Sequence, residues 1–358
     1  MPSLRQKPER QRSLAALLGR TSMKFGIYSS IADPPRGERL DQRIDEVIAE
    51  AKLAEEVGFD SCFFGEHHQD RDGFLPSPLI VATAVAAHTS TLNVGTSVIL
   101  LPLHNPVHLA EDVITLDLVS KGRIILGVGL GYQEADFRAF EVPVRQRVGR
   151  FEEGVEIIRH CWSGEPFSFH GEYHQLENLH ITPSPFQQPA PPLWIGASTP
   201  PGARRAGRMA DGFVAGPSTD LANTIELVET YREAAVQEGR EPLVVLMRDA
   251  WVAETRAEAE EVYGPEVMTA YKYYWRNGLS EFRSIGSENE ITLDNLGRDR
   301  LILGEPEECV AEFQRWSEAV GAEYFLLRLR HAHSGGPSHE RIMEAIRLFG
   351  EEVIPACG

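Results

Sequence analysis

Cysteine is scarce in this chain: four in 358 residues, Cys62, Cys161, Cys309 and Cys357, with no C-x-x-C pair and no Cys/His spacing of a metal knuckle. That scarcity excludes a disulfide framework and predicts a reducing, cytoplasmic setting. Positive charge is short too, 35 Lys and Arg against 53 Asp and Glu, for a formal net charge of -18. A field of that sign repels nucleic acid and anionic lipid, so neither is an expected partner. Near the start one apolar patch, Leu14 to Leu18, stands among Arg5, Lys7, Arg10, Arg12 and Arg20. It is too short and too weak for a membrane helix or a signal sequence, so residues 1–22 are read as a flexible extension or a misassigned start upstream of Met23, where the domain is taken to begin. There is no solenoid period and no low-complexity tract.

What the chain does have is alternation. The stretch Thr91 to Phe137 spells strand, loop, helix, strand and glycine loop in order. Leu92 to Val98 is β-branched and apolar and stops before Leu-Pro and Asn-Pro; Pro106 to Ser120 has helical spacing with proline in the first turn; Arg123 to Val128 is a continuous apolar run of the kind parallel strands show. Further strands are expected near Lys24 to Tyr28, Ser61 to Gly65, Leu193 to Ala197, Gly212 to Ala215, Leu243 to Val252 and Glu323 to Leu329, with amphipathic segments between them. Eight strand and helix units predict an α/β fold, a (β/α)8 TIM-like barrel over residues 23–358, since right-handed parallel crossovers can close at eight. Two stretches break the rhythm. Residues 163–192 hold an alternating run with a central glycine and then a proline-rich crossing, which predicts a hairpin insertion. Residues 265–300 follow a helix expected over Arg256 to Tyr263 and are too long for an ordinary connection, so they are read as a lid or an inert surface insertion. Tyr271, Tyr273, Tyr274 and Trp275 there suit an aromatic cover over an apolar ligand, or packing on the barrel rim.

In such a barrel the reacting groups collect at the strand C-terminal ends. The second strand leaves through Gly65-Glu66-His67-His68. Two histidines beside a carboxylate can act as general acid or base, as metal ligands or as capping groups, and only one of them faces the mouth easily from an extended chain. The other exits, among them Tyr28-Ser29, Ser97-Val98, Gly129-Leu130-Gly131, Gly196-Ala197-Ser198 and Gly216-Pro217-Ser218, are mostly small and neutral, which disfavours a metal. Small residues let backbone approach a large flat cofactor. Gly127-Val-Gly129-Leu-Gly131 lacks the third glycine and acidic partner of a dinucleotide fingerprint. The turn Trp194 to Thr199 before Pro200 offers free N–H groups to a phosphate, or is a plain N-cap.

From Met23 to about Phe349 the chain resembles the luciferase-like flavin monooxygenases. The residues that carry the resemblance are G-E-H-H, T-L-N-V-G-T followed by L-P, H-N-P-V-H-L-A-E-D, V-S-K-G-R and D-F-R-A-F, in the family's order. The resemblance implies a flavin at the strand C-terminal mouth, a homodimer, and reduced FMN delivered by a separate NAD(P)H-dependent reductase. It implies a monooxygenase acting on paired donors with incorporation of O2 into a small organic substrate. His67 matches the histidine that handles oxygen on the flavin, with Glu66 beside it; an ordinary imidazole pKa of about 6.5 suits proton exchange there. Ser97 and Val98 match the family's non-proline cis peptide under the ring, Gly129 and Leu130 match positions near the flavin, and Gly196, Ala197 and Ser198 match the phosphate turn. Leu130 stands where the luciferase α subunit has an arginine for the phosphate. Arg204, Arg205, Lys272 or Arg276 could supply the missing charge, or the cofactor could be the deazaflavin F420, used by a sister branch for hydride transfer without oxygen. A flavin-binding protein without turnover is the remaining alternative.

Overall fold

The computed structural model describes residues 23–358; the expected extension over residues 1–22 lies outside the described residues. Eight parallel strands close into a barrel: β1 Lys24–Ser29, β2 Ser61–Phe64, β3 Asn93–Thr96, β4 Ile124–Gly129, β5 Leu193–Ala197, β6 Gly212–Ala215, β7 Val244–Val252 and β8 Tyr324–Arg328. Closure is seen in the pairing of β8 with both β7 and β1, where Tyr324 lies opposite Val245 and Lys24. Two short strands extend the sheet at the C-terminal rim, Ile99–Leu100 beside β4 and Leu301–Gly304 beside β7. All eight expected strands are therefore present.

Alternation along these strands sorts their side chains onto two faces. Tyr28, Phe63, Ile125, Trp194, Val214, Val245, Met247, Tyr324 and Leu326 fill the interior. Phe63 stacks on Trp194 with centroids 5.3 Å apart, and Trp194 meets Tyr324 edge-on. The opposite faces pack under helices α1 Leu40–Val57, α2 Pro78–His88, α3 Pro106–Ser120, α4 Arg147–Trp162, α5 Pro200–Met209, α6 Leu221–Gln237, α7 Arg256–Arg276, α8 Pro306–Val320 and α9 His339–Leu348. Local signals fix their ends. The Asn105 side chain accepts from Val107 N and His108 N ahead of Pro106, and Glu305 with Glu308 forms a reciprocal capping box ahead of Pro306. None of the helices among the described residues is long and apolar enough to cross a membrane.

The K-G-R turn before β4 is held from the N-terminal end of the barrel. Arg123 donates to Ser120 O, Leu92 O, Ala86 O, Thr89 O and the Thr89 hydroxyl, at 2.6 to 3.2 Å. Lysine cannot reproduce that fork. Arg123→Met is expected to cost about 2–4 kcal/mol by urea unfolding, because several buried carbonyls lose their donor, and Arg123→Lys should recover less than half of it.

The first insertion is the expected hairpin, Phe167–His170 against Gln175–Leu179, antiparallel. Its turn is tied to α4 by Glu153, whose carboxylate accepts from the N–H groups of Glu172, Tyr173 and His174. The second insertion corrects the sequence reading. The helix does not stop at Tyr263 but continues through Pro265 to Arg276, so residues 265–276 are α7 and not a loose segment. An internal proline costs about 3 kcal/mol in a free helix, but here contacts on both sides of it hold the axis. Tyr263 stacks on Trp251, Tyr271 donates to Asp249, and Tyr274 accepts from Arg328. The aromatics at 271 and 274 are therefore buried on the barrel rim.

Candidate active site at the barrel mouth

The β2 exit turns sharply once it leaves the sheet. Glu66 N donates to Val98 O and His67 N to Leu75 O, and Gln69 adopts a left-handed φ of 61° that lets its amide donate to Asp136 at 3.2 Å. Glu66 is buried and its carboxylate is consumed within the protein. Oε1 lies 2.8 Å from His68 Nε2 and 2.8 Å from His104 Nε2, and Oε2 accepts from Leu100 N at 2.6 Å. Glu66 is a brace that fixes two histidines and the backbone just beyond residues 97 and 98. Burial would raise its pKa, but the hydrogen bonds from His104, His68 and Leu100 outweigh that and hold it at about 2. A depressed carboxyl stabilises the fold above its unfolded value of 4.5 and loses that contribution as pH falls from 4.5 through about 2. Glu66→Gln should therefore remove about 3 kcal/mol of stability at pH 7 and nearly none at pH 2, measured by denaturant titration at both values.

His68 points toward the Glu66 side, with Phe140 at 4.6 Å; burial disfavours its charge, yet Glu66 raises its pKa. His67 goes the other way, as an extended chain requires. Its ring stacks on Phe74 at 4.0 Å, and Phe74 in turn meets His333 edge-on. Burial first, and then the neighbouring His333, bring the His67 pKa down to about 3. This corrects the expectation of an ordinary value near 6.5: at neutral pH His67 is an uncharged imidazole with one donor and one acceptor nitrogen.

The peptide between Ser97 and Val98 is cis. Ser97 N donates to Phe64 O at 2.7 Å, and the chain then resumes pairing as Ile99–Leu100 against Val128 and Gly129. Here the reading of bare glycine tips needs revision. A Cβ on Gly129 would come within 2.5 Å of Val98 Cγ2, and one on Gly196 within 2.7 Å of Val98 Cγ1. The room left by both glycines is filled by Val98, so the surface presented at the β4 and β5 tips is an isopropyl shelf and not open backbone. Leu130 is partly buried and packs against the main core.

At the fifth tip Gly196, Ala197 and Ser198 lead into α5, whose N-cap position is Thr199. No side chain caps this helix, but its first two residues, Pro200 and Pro201, carry no N–H and Ala203 N is bonded to Thr199 O, so Gly202 N is the donor its first turn offers an anion, beside the backbone and hydroxyls of Ser198 and Thr199. Of the arginines considered as substitutes at Leu130, Arg205 is paired with Glu152 at 2.8 Å and Arg276 with Glu288 at 2.7 Å. Arg204 is exposed and, like Lys272, has no ion pair among the described residues. Sequence reasoning missed the opposite side of the mouth, where Asp249, Arg328, His331 and His333 lie. The available signal was a charge pair, Arg248-Asp249, inside an otherwise apolar nine-residue strand.

A family model for luciferase-like monooxygenase matches residues 23–323. The chain is 35% identical over 320 residues to an F420-dependent glucose-6-phosphate dehydrogenase of Kineococcus radiotolerans, spanning 85% of this chain and 90% of that one. It is 23% identical over 351 residues to the oxygenase component of the flavin-dependent trigonelline monooxygenase of Acinetobacter baylyi, spanning 93% and 95%. Among solved structures, a monooxygenase from Streptomyces bottropensis superposes with a TM-score of 0.80 at 27% identity, covering 93% of this chain and 99% of that chain. With the barrel, the cis peptide at Ser97-Val98 and a match that runs through eight tenths of its length, this chain belongs to the luciferase-like monooxygenase family.

Proposed function

We propose that the protein is an oxidoreductase that binds reduced FMN at the barrel mouth and uses it with O2 to oxidise a small organic substrate, the flavin coming from a separate NAD(P)H-dependent reductase. A homodimer working in the cytoplasm completes the reading. The observation that carries it is the pairing of an uncharged His67 with the Val98 shelf, linked through the hydrogen bond from Glu66 N to Val98 O. An apolar shelf suits the face of an isoalloxazine ring, and the Ser198-Thr199 turn ahead of α5, with Gly202 N behind the two prolines, suits its phosphate. When bound, reduced FMN would supply the electrons for oxygen chemistry. The chain's own contribution would be a neutral hydrogen-bonding imidazole from His67, an apolar surface from Val98 to hold the ring and, with α7 packed over the rim, exclusion of water.

A second reading, an F420-dependent dehydrogenase, is favoured by the 35% identity to such an enzyme. Against it stands the rim, where Asp70, Asp72 and Asp136 gather at the β2 and β4 exits; Asp72 is committed to the backbone and ring of His333. An acidic rim repels the oligoglutamate tail of F420 more than the single phosphate of FMN. Titrating the apoprotein with each cofactor, followed by absorbance and fluorescence, separates the two. Binding of FMN at least about tenfold tighter than F420 supports the monooxygenase; the reverse order transfers the assignment to hydride transfer.

A further inference from the structure

The inward face of the barrel changes character at its C-terminal end. At the exits of β2, β4 and β5, beyond the interior residues Phe63, Ile125 and Trp194, stand Gly65, Gly129 and Gly196, the last two covered by Val98. On β7, β8 and β1 the last inward positions are Asp249, Arg328 and Tyr28, which lie side by side in register, Asp249 opposite Arg328 and Arg328 opposite Tyr28. One half of the floor is thus apolar and flat, and the other is polar.

That polar half carries no net charge. Arg328 donates to Asp249 through Nε at 2.6 Å and Nη2 at 2.9 Å, while Tyr271 OH donates at 2.8 Å and His331 Nε2 lies 3.0 Å away. With its carboxylate saturated, Asp249 neutralises the guanidinium completely. The remaining guanidinium edge, Nη1, donates to the Tyr274 hydroxyl at 3.2 Å, which leaves that hydroxyl free to donate in turn. The Tyr28 hydroxyl sits at the gap made by Gly65, where any Cβ would collide with it. Tyr28 is only 5% exposed, and its hydroxyl has no hydrogen-bond partner among the described residues but is not one of their fully enclosed unpaired polar atoms, so it keeps access to solvent at the mouth. A ligand that covers this hydroxyl displaces its water, which costs free energy unless the ligand supplies a hydrogen-bonding oxygen in return.

We infer that Tyr28 and Tyr274, the latter set by the Asp249–Arg328 pair, form the substrate half of the mouth and select a neutral ring compound carrying a carbonyl or hydroxyl oxygen. This rests on the mouth being the flavin and substrate site proposed above. A carboxylate would bring an uncompensated charge onto a floor whose guanidinium, Arg328, is already neutralised by Asp249, and would first pass the acidic rim. A ring without oxygen would leave the Tyr28 phenol unpaired.

Three probes of one shape test this: 2-naphthol, 2-naphthoate and naphthalene, titrated at pH 7 against the full chain by calorimetry and probe fluorescence, with and without FMN. The wild type should bind 2-naphthol about tenfold tighter than either of the others, and Tyr28→Phe should bring naphthol down to the level of naphthalene while leaving FMN affinity unchanged. Tyr274→Phe should reduce the same preference, and a cooperative unfolding transition near that of the wild type shows that neither variant acts through loss of the fold. Naphthoate binding as well as naphthol, an undiminished preference in Tyr28→Phe, or binding of none of the three overturns the inference. Failure of the flavin reading would show separately, as absence of FMN binding by a protein that still prefers naphthol.

Discussion

Asp249→Asn is expected to cost the fold about 3–5 kcal/mol, the usual effect of leaving one partner of a buried ion pair without its counter-charge. Asp249 is fully buried, and burial alone would raise its pKa, but Arg328 and His331 hold it well below the ordinary carboxylate range. Its carboxylate joins β7 to β8 through Arg328 and to α7 through Tyr271. The amide that replaces it keeps the shape and removes the charge, so the Arg328 guanidinium is stranded in the interior. Urea unfolding should show the loss directly. The double variant Asp249→Asn with Arg328→Met should recover at least about 2 kcal/mol of it, since the stranded charge is then gone. A loss below about 1 kcal/mol in the single variant would mean that water reaches the pair and that α7 is not clamped by it.

His67→Ala is expected to lower product formed per NADH consumed by about a hundredfold in a reaction supplied with reductase, FMN and O2, with oxygen uptake itself little changed. The size follows from removing one hydrogen-bonding group at developing charge in a site shielded from water. Because the His67 pKa lies at about 3, its charge does not change across the working range. The His67-dependent part of the rate should therefore be flat from pH 5 to 9, with loss only as pH falls toward 3, where the ring becomes cationic. An inflection near 6.5 that disappears in His67→Ala would show that the ring titrates normally, and coupling unchanged by the substitution would remove it from the chemistry.

Much of this was legible in the residues, for definite reasons. Strand and helix alternation is set by apolar periodicity, and the boundaries of β5, β6, α1, α3 and α8 fall where Pro, Gly and capping residues put them. The cis peptide at Ser97-Val98 was accessible only through family resemblance, because nothing in a Ser-Val dipeptide favours it. The end of α7 was misjudged because Pro265 is a strong local signal and the bonds that override it, from Tyr263, Tyr271 and Tyr274, reach residues far along the chain. The polar floor escaped for a related reason. Asp249 and Arg328 are 79 residues apart and become partners only when the barrel closes. Likewise the glycines at 129 and 196 read as open backbone until Val98 is seen lying across them.

A fluorescence titration of FMN against the wild type and Gly129→Ala tests the placement of the flavin most directly. The added methyl would lie 2.5 Å from Val98 Cγ2 and must push the shelf out of position, without disturbing Thr199 or the start of α5. If the ring rests on Val98, the wild type binds FMN and the variant binds it about tenfold or more weakly, with the far-UV circular dichroism of the two alike. Equal affinity in the two proteins would contradict a flavin lying on that shelf.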